Sequence, residues 1–315
     1  MQTSFIHCVR QGLVAGLAML AISQNALAET RTIETLYGDV TVEGQPERVV
    51  TLYEGALDSA IAVGVQPVGA IITRGGQHVA SYIREAAGDI AIVGAPGETN
   101  LEAVLALQPD LILATRQTSR DQYELLSQMA PTIVLDVPLF RQDTWKQELA
   151  GFARALGREG QANDVIARVG HRAEEVREQV TGSIPQQQRD TSLVRWMPQG
   201  PLVMSEGLFS ATVLASAGFE VEDGGIVKEG RPHSQPLSQE NLTLMDQEWI
   251  FLATINDDGR EALDAARQSP AFKRLKAHSN DRVVPVDGHL WTSASGPLAA
   301  LAILDDIENA LSQQP

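Results

Sequence analysis

The stretch that most constrains the fold is residues 159–181. Its apolar positions, Ala162, Ile166, Val169, Ala173, Val176 and Val180, recur at a spacing of four and three, which places them on one face of a helix. Val165 is the only nearby addition, and the other faces carry Asp164, Arg168, Arg172, Glu174, Glu175, Arg177 and Glu178. So narrow a stripe suits a strut that rests on protein along one side and meets water on the others. Gly182 reads as its C-cap and Pro185 as its stop. Such a helix is about 33 Å long, roughly the width of a small domain. The sequence therefore predicts two lobes joined by this helix alone. The competing reading is an ordinary surface helix within one large domain.

What flanks the strut favours two lobes. Before it, strands are expected at residues 48–52, 67–72, 90–93, 110–114 and 132–135, after a polar edge pair in 29–45. They alternate with helices at 56–63, 79–87, 99–107, 122–129 and 144–156. After it come strands at 192–196, 202–204, 249–253 and 282–286, with helices at 209–217, 240–245, 270–277 and 297–311. Strands alternating with helices imply mostly parallel sheets, so the fold class is α/β, two Rossmann-like lobes on one long helix. The expected division is 1–28 as a signal peptide, 29–157 as the first lobe, 158–183 as the linker helix and 184–315 as the second lobe. A faint repeat supports it. Residues 101–112 align with 239–250, so that Glu102 falls on Glu240 and Val104 on Leu242.

The amino terminus reads as an export signal. Arg10 is its only formal charge, residues 12–22 are apolar but too short to span a bilayer, and Ala26-Leu27-Ala28 fits a cleavage site. Cleavage after Ala28 would remove Cys8, the only cysteine, and take the net charge from −16 to −17. Cys8 does not stand at a lipoprotein-type site. A periplasmic protein without thiol, disulfide or membrane anchor is expected, and a monomer. Strong net negative charge disfavours nucleic acid and anionic membranes as partners.

In open α/β sheets ligands bind beyond the carboxyl ends of the parallel strands. Those ends carry Tyr53, Arg74, Arg116 and Arg141 in the first half, then Arg195, Trp196, Arg231, His233 and Trp291 in the second. Arginines gathered at one rim of so acidic a chain suit an oxyanion, because guanidinium is a planar fork of donors. With the aromatic residues they suit a bulky anion. Singly, each arginine is also read as a solvated surface residue, and each tryptophan as core. No G-x-S-x-G, phosphate-binding loop, cysteine nucleophile or zinc-spaced histidine set is present, so neither catalysis nor a resident metal is expected. His78, His171, His278 and His289 are scattered, and only His233 lies in a candidate cleft loop. For Glu102, Thr99-x-x-Glu102 reads as a capping box, and Glu240 as a helix N-terminal acid.

Taken together, PERVVTL at 46–52, LD at 57–58, VGVQPVG at 63–69, VG at 93–94, TNLEAVLALQPDLIL at 99–113 and LSQMAPTIV at 126–134 make a pattern. It continues with LSQENL at 237–242, WIFL at 249–252, RVVPVD at 282–287, Trp291 and GPLAAL at 296–301. In order and spacing it resembles the iron-siderophore and cobalamin type of periplasmic substrate-binding protein, over nearly all the chain after residue 28. The resemblance implies a class III architecture, with a ligand held between two lobes and little hinge motion. It implies that the chain delivers a ferric siderophore, with its Fe3+ already chelated and no cofactor needed, to an inner-membrane ABC permease. Glu102 and Glu240 would dock to permease arginines. His233 matches in place a histidine that ligates iron in some catecholate binders, whereas Trp291-Thr292 stands where those proteins carry a tyrosine. Alternatives are haem or cobalamin in the same fold, with Tyr53 or His233 as an axial ligand to haem, and an exported α/β hydrolase. The arginines favour a carboxylate or catecholate siderophore over a neutral hydroxamate.

Overall fold

The computed structural model describes residues 29–313, so the export signal and its cleavage site lie outside the described residues. An antiparallel hairpin, β1 (Thr30–Thr35) and β2 (Gly38–Glu43), opens the fold. There follow β3 (Val49–Thr51), α1 (Glu54–Ala62), β4 (Gly69–Ala70), α2 (Ser81–Ala87) and β5 (Ala91–Ile92). Next are the short hairpin β6 (Gly94–Ala95) and β7 (Glu98–Thr99), then α3 (Leu101–Ala106), β8 (Leu111–Ala114), α4 (Arg120–Ser127), β9 (Thr132–Val134) and α5 (Thr144–Leu156). The first sheet is wholly parallel in the order β5-β4-β3-β8-β9. Its central strands β3 and β8 are buried on both sides, as the unbroken apolar runs at 49–50 and 111–114 require.

The chain then runs through α6 (Glu159–Ser183), 25 residues and about 37 Å long. It enters β10 (Asp190–Met197), β11 (Gly200–Val203), α7 (Phe209–Ser216), β12 (Glu220–Val221) and, after a 3-10 turn at Gln239–Met245, β13 (Trp249–Thr254). It ends with α8 (Asp257–Arg267), α9 (Pro270–Lys273), α10 (Lys276–Ser279), β14 (Val283–Asp287), α11 (Gly288–Thr292) and α12 (Pro297–Ser312). The second sheet is ordered β11-β10-β13-β14, with β12 also on β10, and only β11 is antiparallel.

Several local expectations need correcting. Gly182 lies inside α6, and the helix stops at Ile184, which the following Pro185 holds in an extended conformation. The cap of α3 is Asn100, whose side chain accepts from the Ala103 N–H, while Thr99 ends β7 and its hydroxyl accepts from Gln122. The single helix expected at 270–277 is two short ones, α9 and α10, broken at Arg274-Leu275. α8 and α11 are not among the expected helices; α8 is strongly polar, with only Gly259, Leu263 and Ala266 buried.

One continuous apolar core runs behind both sheets. It takes Val49, Leu111 and Ile133 from the first, Leu193 and Phe251 from the second, and Ala56, Phe152, Val169, Val176, Ile303 and Ile307 from the helices between. α6 contributes Ala162, Val165, Val169, Ala173, Val176 and Val180, and packs on α5 and on α12. Arg172, on its flank, pairs with Asp305 and Glu308 of α12 at 2.8 and 2.6 Å. α12 in turn packs on α1 and α2 of the first half. The two sheets thus share a core on the helix side and part only on the other, where a cleft opens.

Candidate functional site

The cleft has a cavity volume of ≈ 390 Å³ and draws walls from both halves. From the first half come Tyr53 beyond β3, Arg74 beyond β4, Thr115 and Gln117 beyond β8, and Phe140, Arg141, Thr144 and Trp145 beyond β9. The switch in strand order falls between β3 and β8, and the residues after these two strands face the cavity, where parallel sheets commonly hold ligands. From the second half come Arg195 near the end of β10, Met204 after β11, Phe209 at the start of α7, His233, and residues 292–295, from the last residue of α11 toward α12.

The charges are unevenly matched. Arg195 is 8% exposed; one Nη is 3.4 Å from the Thr292 hydroxyl, and its Nε has no partner. No carboxylate pairs with it among the described residues. Burial, and then the like charge of Arg74, pull its guanidinium pKa down. Arg74 is exposed and forms no ion pair there either; nearby Glu54 uses one oxygen to accept from the Thr73 hydroxyl and the Arg74 backbone N–H, at 2.9 and 3.1 Å. Arg141, also exposed, reaches Glu229 of the other half only at 3.9 Å.

Beside this cationic pair stands a buried acid. The Tyr53 hydroxyl donates to Glu148 of α5 at 3.4 Å. Burial pushes the Glu148 carboxyl up to about 7, and burial with the Glu148 charge holds the Tyr53 phenol well above its ordinary range. A phenolate at Tyr53 is therefore disfavoured in the ligand-free protein. The His233 Nδ1 lies 2.8 Å from the Ser234 carbonyl. A carbonyl only accepts, so Nδ1 carries a proton in this contact. Across the cleft mouth a Cβ on Gly207 would collide with the Phe140 carbonyl, so glycine lets the two halves touch.

Of the expected residues, the cavity brings together Tyr53, Arg74, Arg141, Arg195 and His233. It does not include Arg116, Arg231, Trp196 or Trp291. Arg116 pairs with Asp136 at 2.9 Å, and Arg231 is exposed in its loop. Trp196 neighbours Arg195 on β10, and alternate strand residues face opposite ways. With Arg195 on the cleft side, Trp196 enters the far core, edge-on to Phe272 at 5.8 Å. Trp291 is wholly buried, stacked on Phe251 at 5.0 Å, and its Nε1 donates to Asp306 at 2.8 Å. The tryptophan on the cavity is Trp145, which the sequence reading placed in a helix and assigned no role; its signal was its place in the first turn beyond Arg141. Glu102 and Glu240 are exposed, in the first turn of α3 and of the 3-10 turn before β13. Among the described residues no group of three or more His, Cys, Asp or Glu side chains is arranged to hold a metal ion.

The family model described as periplasmic binding protein matches residues 49–290. Among characterised relatives, the achromobactin-binding periplasmic protein of Dickeya dadantii is 27% identical, over 83% of this chain and 85% of its own. The Fe(3+) dicitrate-binding periplasmic protein FecB of Escherichia coli is also 27% identical, over 96% of each. The crystal structure of Staphylococcus aureus SirA complexed with staphyloferrin B superposes with a TM-score of 0.77 at 27% identity, covering 89% of this chain and 98% of that one.

Proposed function

Since the chain belongs to the periplasmic binding protein family, we propose that its cleft captures an anionic ferric siderophore and hands it to an ABC importer. The observation that carries this is the pair Arg74 and Arg195. They face the cavity from opposite halves and repel one another; among the described residues Arg195 pairs with no carboxylate and Arg74 has only the Glu54 charge nearby, in a chain of net charge −16. A buried cation left unpaired is costly, so the missing counter-charge belongs to the ligand. Carboxylate or catecholate oxygens fit the guanidinium forks, and a neutral hydroxamate complex does not. Tyr53, Phe140, Trp145 and Phe209 supply aromatic and apolar wall. Similarity to a ferric dicitrate binder supports the carboxylate class.

Iron is cargo in this reading, delivered already chelated, and the cleft performs capture without chemistry. Glu102 and Glu240 dock the loaded protein to basic residues of the permease. Their exposure and their matching places in the two halves support this role. Residues 1–28 act as the cleavable export signal, and the monomer is the working form.

The test is fluorescence titration of the processed protein with ferric citrate, a ferric catecholate and a ferric hydroxamate, with haem and cobalamin alongside. Saturable quenching by ferric citrate or the catecholate is expected. Flat traces for every ferric complex, with saturable haem or cobalamin binding, overturn the reading. For docking, Glu102→Ala/Glu240→Ala keeps ligand affinity and abolishes uptake; unchanged uptake makes both residues helix-terminal acids only.

A further inference from the structure

The amino terminus of α12 has no cap of its own. It begins at Gly296, which has φ +119 and no side chain. The Leu298 and Ala299 N–H groups donate instead to Asp58 of α1, one to each carboxylate oxygen, both at 2.9 Å. Tyr82 of α2 donates its hydroxyl to the same carboxylate at 3.0 Å. Asp58 has no exposed surface, and a Cβ on Gly296 would stand 2.5 Å from its carboxyl carbon. One carboxylate from the first half thus occupies the helix N-terminus of the second, where amides and dipole favour an anion.

Both partners in this contact lead straight to the cleft. Tyr53, at the start of α1, lines the cavity a little over one helical turn before Asp58. Residues 292–295 line it from the other half and run directly into Gly296. We propose that Asp58 is a positioning residue for the ligand cleft: by capping α12 across the lobe boundary, it fixes the 292–295 wall against the Tyr53 wall. This rests on the cleft being the ligand site.

Burying the Asp58 charge opposes folding, and the hydrogen bonds of the clamp offset only part of that cost. Burial pushes the Asp58 carboxyl up to about 7, against the opposing pull of its three hydrogen bonds. The titratable group facing it is Tyr82 from α2, which is itself coupled to Glu54 and Tyr53 at the start of α1. From α12 it meets only backbone amides, since the first turn, Pro297 to Ala300, carries no charge. Protonation stabilises the fold and gives up an acceptor, so acid strengthens folding while it loosens the clamp.

The test uses the full processed chain in a Glu148→Gln background, which removes the other carboxyl near 7. Ferric citrate affinity is measured from about pH 6 to about pH 8 for this protein and for added Asp58→Asn or Tyr82→Phe. The parent should lose affinity as pH falls through about 7. Asp58→Asn, which keeps one acceptor of two, should bind about tenfold more weakly at the alkaline end and show no such step. Tyr82→Phe, lacking a donor to the carboxylate, should move the step to higher pH. A purely structural contact would leave the step where it was, and identical profiles in all three overturn the proposal. Hydrogen exchange of the ligand-free proteins supplies an arm that no ligand choice affects. Exchange over residues 292–300 should quicken in Asp58→Asn, and unchanged exchange there overturns the clamp. Absence of ferric citrate binding in the parent, with quickened exchange in the variant, counts against the ligand assignment and for the clamp.

Discussion

Arg195 decides what the cleft can hold. It is buried and pairs with no carboxylate among the described residues, so its charge is a liability until an anion arrives. Arg195→Met should leave the melting temperature equal or higher. It should weaken ferric citrate binding by about ten- to a hundredfold, the worth of a charge-assisted hydrogen bond. Calorimetry and titration on the same preparation check both halves of this. Trp145 is the only one of the four tryptophans on the cavity, so Trp145→Phe should remove most of the quenching signal while calorimetric binding persists. Glu148 tests the electrostatics of burial. Its carboxyl is raised to about 7, so its proton stabilises the fold below its unfolded pKa, and that contribution is lost as pH rises through about 7. The stability advantage of Glu148→Gln over wild type should therefore grow from about pH 5 to about pH 8. A melting-temperature difference that stays flat over that range would show Glu148 to be solvated. At this scale the sequence was half legible. Arginines stood out at strand ends, but which of them reached the cavity depended on partners such as Asp136, which no spacing reveals.

The long helix can be probed by a single atom group. Nothing lies within 4 Å of where a Cβ on Gly170 would sit, and the residue is exposed. The glycine is therefore neither a packing contact nor a close approach, and Gly170→Ala should stabilise the protein by about 1 kcal/mol with unchanged ligand affinity. Denaturant unfolding gives the first quantity and titration the second. The span of this helix was readable because its stripe has a clean 3.6-residue period over many turns. Its end was misjudged because Gly182 is tolerated within the last turn, and Pro185 sets the stop. α8 escaped notice because its amphipathic face is only three residues wide, whereas the unbroken apolar runs of β8 and β13 leave little choice.

Across the whole molecule, the two sheets share one core behind the cleft, and α12 is locked to α1. Ligand capture should then proceed with little change in overall dimensions. Solution scattering with and without ferric citrate should show closely similar radii of gyration, and a large decrease on binding would mean that the shared core opens. Gly207→Ala should push the Phe140 loop outward and weaken binding without unfolding either half, because only the cleft mouth is crowded there. By itself, the sequence determined the alternation of strands and helices, the long helix between two mostly parallel sheets, and the cationic character of the strand ends. These follow from local periodicity and from chain direction. The tertiary structure alone decided that Trp145 faces the cleft in place of Trp196 and Trp291, that Arg195 pairs with no carboxylate among the described residues, and that Asp58 caps a helix 240 residues away. Each of those depends on which side of a sheet a residue takes and on what the opposite half brings to meet it, and neither is encoded in any short stretch of chain.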